Sequence, residues 1–224
     1  VSEHPNEHGG EPIRGLPAQL PEGEHILWQG APDWRVLART ALHVRVIAAY
    51  FAVIAVWRVG AGWTQGRDVG ALAMDALVVA VIGAAAVALL AGYAWLAART
   101  TVYTLTNRRF VLRHGVALSK IFQVPYRRIE SAGIKVDATG VGDIPLRLTP
   151  ESKIAYPHLW PHARPWRIVH PEPMMRAVPD AQAVAELLTE AWRGEVRERA
   201  RMPPMAATPA RRRRRDPAGE PAAA

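Results

Sequence analysis

The sequence predicts a two-helix membrane hairpin followed by an α+β domain, a small β-barrel closed by a C-terminal helix. Three observations carry this. Residues 76–98 are 23 consecutive positions without a charge, longer than the roughly 20 residues a bilayer-spanning helix needs. A second apolar stretch, 40–57, is broken only by His43 and Arg45. After Arg99 the apolar pattern changes to period two, the mark of strands.

Composition narrows the class further. Half of the 224 residues are hydrophobic while aromatics make up 7%, so the apolar content is mostly Ala, Val and Leu, which suits membrane helices. The chain has no cysteine, which excludes disulfides, thiolate catalysis and Cys-ligated zinc or iron–sulfur sites. Lys and Arg outnumber Asp and Glu by 28 to 20, a formal charge of +8.

Residues 1–33 carry Pro, Gly, Glu and His without a hydrophobic period and without the basic and apolar regions of a signal peptide; they are expected as a cytoplasmic N-terminal segment. The hairpin is expected over 34–99. Its first span, 40–57, reaches bilayer length only if Arg45 snorkels to the interface. Residues 58–68, rich in Gly, read as the connecting loop. Seven arginines flank the hairpin (Arg35, Arg39, Arg45, Arg99, Arg108, Arg109 and Arg113) against Arg58 and Arg67 in the loop, so the positive-inside bias places both termini in the cytoplasm.

Residues 100–201 form the second domain. Strands are expected over 101–106, 109–113, 116–124, 129–136 and 144–148, punctuated by Asn107, Gly115, Pro125 and the 140–143 turn. Pro179 and Asp180 open a helix with Val184, Leu187, Leu188, Ala191 and Trp192 on one face, placed to cover the barrel's open end. Residues 202–224, with arginine at every position of 211–215, are expected to be a disordered tail suited to anionic lipid. No nucleic-acid reading module accompanies it.

Candidate sites are few. His158 and His162 have the four-residue spacing of paired metal ligands, but Pro157, Pro161 and Pro165 break any helix that could present them, so they read as surface histidines of an extended loop. Gly140-Val141-Gly142 lacks the remainder of a phosphate loop and reads as a turn. Ser119 and Ser131 have no identifiable base. No cofactor and no enzymatic activity is expected.

Asp75, an acid inside the second span, either pairs with Arg58 or Arg67 or meets a partner's helix. Ala80, Ala84, Ala88 and Gly92 recur every fourth residue, a small-residue stripe that admits a close neighbour, by default the first span. Leu159, Trp160, Pro161, His162, Arg164, Pro165 and Trp166 form the most unusual soluble segment, with Trp and Arg of the kind that dominate binding hot spots. The competing reading is that the two tryptophans pack on the barrel.

Two blocks carry a family resemblance. YTLTNRRFVLRHG (103–115), Pro125, Ile129 and GVGDI (140–144) resemble bacterial pleckstrin-homology domains, which implies an open barrel capped by a C-terminal helix. LPEGEHILWQGAPDW (20–34), LWPHARPWRI (159–168) and PEPMMRAVPD (171–180) resemble the PuhB family of photosynthetic-complex assembly proteins of purple phototrophic bacteria. That resemblance implies a protein of the bacterial inner (intracytoplasmic) membrane that helps assemble the photosynthetic reaction centre, with a secondary effect on the core light-harvesting complex. It implies reaction-centre subunits as partners; membrane lipids and a second copy of the chain are expected partners on other grounds, the lipids from the arginine run of 211–215. The family is sometimes drawn with a third membrane segment, whereas two are legible here. The barrel alone would also allow a membrane-anchored lipid-headgroup-binding or scaffolding protein; the LWPHARPW block separates the two readings.

Overall fold

A strand appears where the first 33 residues show no period. In this computed structural model, which describes residues 15–16, 18–149 and 155–201, β1 (Ile26–Gly30) is followed by α1 (Trp34–Thr40), α2 (Val44–Thr64) and α3 (Val69–Thr100). Residues 26–30 are therefore part of the barrel, paired with residues 103–106. Arg109 reaches both carboxylate oxygens of Glu24, at 2.8 and 3.0 Å, and Thr106 Oγ1 donates to the same group. The Expected 202–224 tail, with its arginine run, lies outside the described residues.

The hairpin departs from expectation at both ends of its first helix. The span expected over 40–57 starts later, at Val44, because His43 adopts φ 53° and separates α2 from α1, which ends at Thr40. Asp33 caps α1, accepting from the N–H groups of Arg35 and Val36. Nothing breaks the chain at Arg58, so α2 runs on to Thr64 and the connection shrinks to residues 65–68. Asp68 caps α3 through the N–H of Ala71. Both α2 and α3 are long and apolar enough to cross a membrane, and they bare Val46, Val53, Val56, Val81 and Leu89, as lipid-facing helices do.

At 1.5 Å per residue α3 is about 48 Å long, against a hydrocarbon core of about 30 Å. Its final turns carry the barrel. There Ala97 and Ala98 bury against Val36 and Leu37 of α1, with Tyr93 packed alongside.

The barrel follows as β2 (Val102–Thr106), β3 (Arg109–His114), β4 (Lys120–Pro125), β5 (Ile129–Ala132), β6 (Lys135–Val136) and β7 (Gly142–Leu148), then α4 (Tyr156–Leu159), β8 (Met174–Val178) and α5 (Ala181–Arg201). One antiparallel sheet has the order β1-β2-β3-β4; in the other, β7 pairs with β5, β6 and β8. Strand β8 lies in the PEPMMRAVPD block, where sequence patterning shows no strand. Tyr103, Phe110, Leu112, Ile144, Leu146 and Met175 fill the space between the sheets. Helix α5 closes it with Ala181, Val184, Leu188 and Ala191, and Trp192 packs at the margin, the face its 3.6-residue period predicts.

Candidate functional site

The 159–170 segment leaves the core, crosses the end of α3 and returns to β8. Leu159 is fully buried in the barrel. Trp160 then stacks on Tyr93 of α3, centroids 5.7 Å apart and planes 25° from parallel. The Trp160–Pro161 peptide is cis, and Pro161, His162 and Ala163 are buried.

His162 is not the surface histidine expected of a Pro-rich loop. Its two nitrogens face hydroxyls brought from about 60 positions away: Nε2 lies 3.0 Å from Thr101 Oγ1 and Nδ1 lies 2.8 Å from the Tyr103 hydroxyl. Thr101 spends its one proton on the carbonyl of Ala97, at 2.7 Å. Its oxygen must therefore accept from His162, which assigns the proton to Nε2 and leaves Nδ1 to accept from Tyr103. The Tyr103 oxygen in turn accepts from the N–H of Arg176, at 2.9 Å. This chain ties α3, β2, the 159–170 segment and β8 together around a neutral imidazole.

Electrostatics agree with that state. Burial holds His162 well below the usual imidazole value, with repulsion from His114 and Arg176 acting in the same direction. Burial also lowers His114, whose ring lies 5.2 Å from that of His162 and stacks on Phe122. Burial raises the Tyr103 hydroxyl, so it remains a proton donor. With both nitrogens of His162 engaged by hydroxyls, neither is open to a metal.

Beyond Ala163 the segment turns outward. Glu172 fastens its base, pairing with Arg164 at 2.8 Å and Arg167 at 3.8 Å, while the Arg164 N–H donates to the Glu172 carbonyl at 2.9 Å. Pro165 is exposed. At the tip Trp166 is 92% exposed, Val169 84% and Ile168 66%. Trp166 therefore does not pack on the barrel; Trp160, 47% exposed, packs on Tyr93 of α3 instead. The tip is thus an exposed apolar surface on a base held by ion pairs and a buried hydrogen-bond chain.

The candidate residues of the hairpin lie apart from this tip. Asp75 is paired within the chain, to Arg58 at 3.3 Å and to Arg67. Ala84, Ala88 and Gly92 are exposed, so the stripe does not face α2 as its default reading has it. Gly83 makes that contact: a Cβ there would stand 2.8 Å from the Cβ of Phe51. Gly92 has nothing within 4 Å of its would-be Cβ.

Sequence reasoning missed Tyr93, Ile168, Val169 and Glu172 as parts of the segment. The two apolar residues following Trp166 are visible in the sequence as an unpatterned apolar pair, and only that signal could have found them.

Residues 39–192 match the family described as Bacterial PH domain. The chain is 38% identical over 189 residues to an uncharacterized 23.7 kDa protein of Rhodobacter capsulatus in the puhA 5′ region, covering 84% of this chain and 88% of that one. A solved structure from Shewanella loihica, of a DUF1696-family protein with a pleckstrin-homology domain, shares 13% identity with a TM-score of 0.28, over 41% of this chain and 71% of that one.

Proposed function

The chain belongs to the bacterial pleckstrin-homology domain family, of the PuhB type, and from that premise we propose that it is a non-enzymatic membrane assembly factor for the photosynthetic reaction centre. It acts by binding reaction-centre subunits, with a secondary effect on the core light-harvesting complex. Both termini lie in the cytoplasm and the hairpin sits in the bacterial inner (intracytoplasmic) membrane. The observation that carries the reading is the exposed apolar tip of Trp166, Ile168 and Val169 on a rigid base. The puhA neighbourhood of the Rhodobacter capsulatus relative supports a photosynthetic role.

The tip and the exposed face of Ala84, Ala88 and Gly92 supply two contact regions, one for a soluble surface and one for a membrane helix. Truncating an exposed side chain costs a fold within about 0.5 kcal/mol, so Trp166→Ala should leave the protein abundant and membrane-bound. Expressed as the sole copy in a phototrophic host, it should lower the near-infrared absorption of the reaction centre while immunoblots show normal levels of the variant. Normal absorption at normal protein level contradicts the role of this surface.

A further inference from the structure

Two buried histidines meet beneath the segment that carries the tip. His114 ends β3 and His162 lies in the 159–170 segment, with ring centroids 5.2 Å apart and exposures of 4% and 0%. The Nε2 atom of His114 is buried without a hydrogen-bond partner, a cost that a phenyl ring stacked on Phe122 in its place would not carry.

The segment is tied at its base to its own return arm. The Met174 N–H donates to the His162 carbonyl at 2.8 Å, and the Arg164 N–H to that of Glu172 at 2.9 Å. Among the described residues, its polar and ring contacts with α3, β2 and β3 run through His162 and Trp160. A proton on His162 Nδ1 would force the Tyr103 hydroxyl of β2 to turn to the Arg176 carbonyl, 3.3 Å away, against 2.8 Å in the bond it loses. The surrounding groups do not compensate the charge. Lys120 of β4 and Arg176 of β8 repel it, and the two histidines repel each other once charged. Asp143 of β7 accepts from the Ala177 N–H, and Glu172 is paired with Arg164 and Arg167. On α3, Thr101 does not titrate and Arg99 lies over the Trp95 ring. The His158 carbonyl beside His114 is the group that favours a charge there.

We propose that the His114–His162 pair is a proton-operated latch, which holds the 159–170 segment against α3 and β2 while both rings are neutral and releases it, with the Trp166 tip, when either ring gains a proton. The latch regulates the contact surface assigned to that tip and rests on that reading for its role. The segment gives Leu159 and Ala163 to the barrel core, so the rest of the core persists on release. Once released, both imidazoles reach water and titrate near the ordinary value of about 6.5. At pH 5.5 linkage then favours the released form about tenfold for each histidine.

The chain has no cysteine, so nitroxides on Ile168→Cys at the tip and Ala183→Cys on the exposed face of α5 can report the position of the segment. Pulsed dipolar EPR on the full chain in lipid nanodiscs should give one narrow distance distribution at pH 7.5. At pH 5.5 a second, broad component should grow at least about tenfold relative to the first, with circular dichroism unchanged. His162→Gln should remove the pH response. If that variant is already broad at pH 7.5, His114→Phe decides, and its broad component at pH 5.5 should be about tenfold smaller than that of the unsubstituted pair. A distribution that stays narrow at pH 5.5, an unchanged pH response in the deciding variant, or broadening only together with loss of the circular dichroism signal would overturn the latch. The measurement needs no reaction centre: a failed latch leaves the contact made by the tip untouched, and a tip that touches no reaction centre would leave the pH response in place.

Discussion

Tyr93, a residue of the second long helix, stacks on Trp160 of the LWPHARPW block. The contact ties the position of the exposed tip to the end of a helix that can cross a membrane. It divides the two tryptophans of the block into different roles: Trp160 positions the segment and Trp166 stands free at its end.

Substitutions should show that division. An aromatic stack is worth about 1 kcal/mol beyond the area it buries, so Trp160→Ala should lower the melting temperature of the detergent-solubilised protein. Trp166→Ala should leave it unchanged. Equal losses from both would contradict the assignment.

Glu24 is expected to matter to the barrel although it precedes the first helix. Its side chain is almost fully buried against Arg109, and breaking a buried pair from one side costs about 3 kcal/mol or more. Chemical denaturation of Glu24→Ala should show a loss of that size. An unaffected midpoint would mean that residues before the hairpin do not hold the barrel.

How much of this was legible beforehand depends on how local each cause is. The 23-residue uncharged run announces α3 by itself, and the 3.6-residue period announces α5. Strand β8 does not alternate, because Met175 and Val178 both face the barrel core while Ala177, at φ 50°, packs on Val36 and Leu37 of α1; the irregularity at Ala177 breaks period two. Strand β1 is only five residues long. The buried state of His162 depends on Thr101 and Tyr103, far away in sequence, and three flanking prolines suggested an exposed loop. The pairing of Asp75 with Arg58 and Arg67 was one of two readings the sequence left open, and the fold selects it.

The buried histidines predict a pH dependence. His162 and His114 are both held below the ordinary value of 6.5, so between that value and their folded ones the unfolded chain binds more protons. Stability is then fully present above about pH 6.5 and falls as the pH drops toward the folded values. Asp137, lowered from 3.8 chiefly by its hydrogen bond from the Thr139 hydroxyl, titrates below this window. Melting temperatures should decline from pH 7.5 to pH 5, with a shallower slope in His162→Gln. An unchanged slope in that variant would remove His162 from the account.

In the hairpin, Gly83 and Gly92 should respond oppositely to enlargement. Gly83→Leu meets Phe51 and should cost about 1 to 3 kcal/mol by overpacking. Gly92→Leu has open space and should fold normally, yet lower reaction-centre accumulation if the stripe receives a partner's helix. Normal accumulation with Gly92→Leu would free the stripe of that role.

The central claim is that the Trp166 tip touches the reaction centre, and site-specific photo-crosslinking tests it most directly. Trp166→p-benzoylphenylalanine would be expressed in a phototrophic host during pigment-protein assembly, irradiated, and the adducts identified by mass spectrometry. The account predicts an adduct with a reaction-centre subunit, absent when the same group replaces exposed Leu118. A stable, membrane-bound variant that yields no reaction-centre adduct would contradict it.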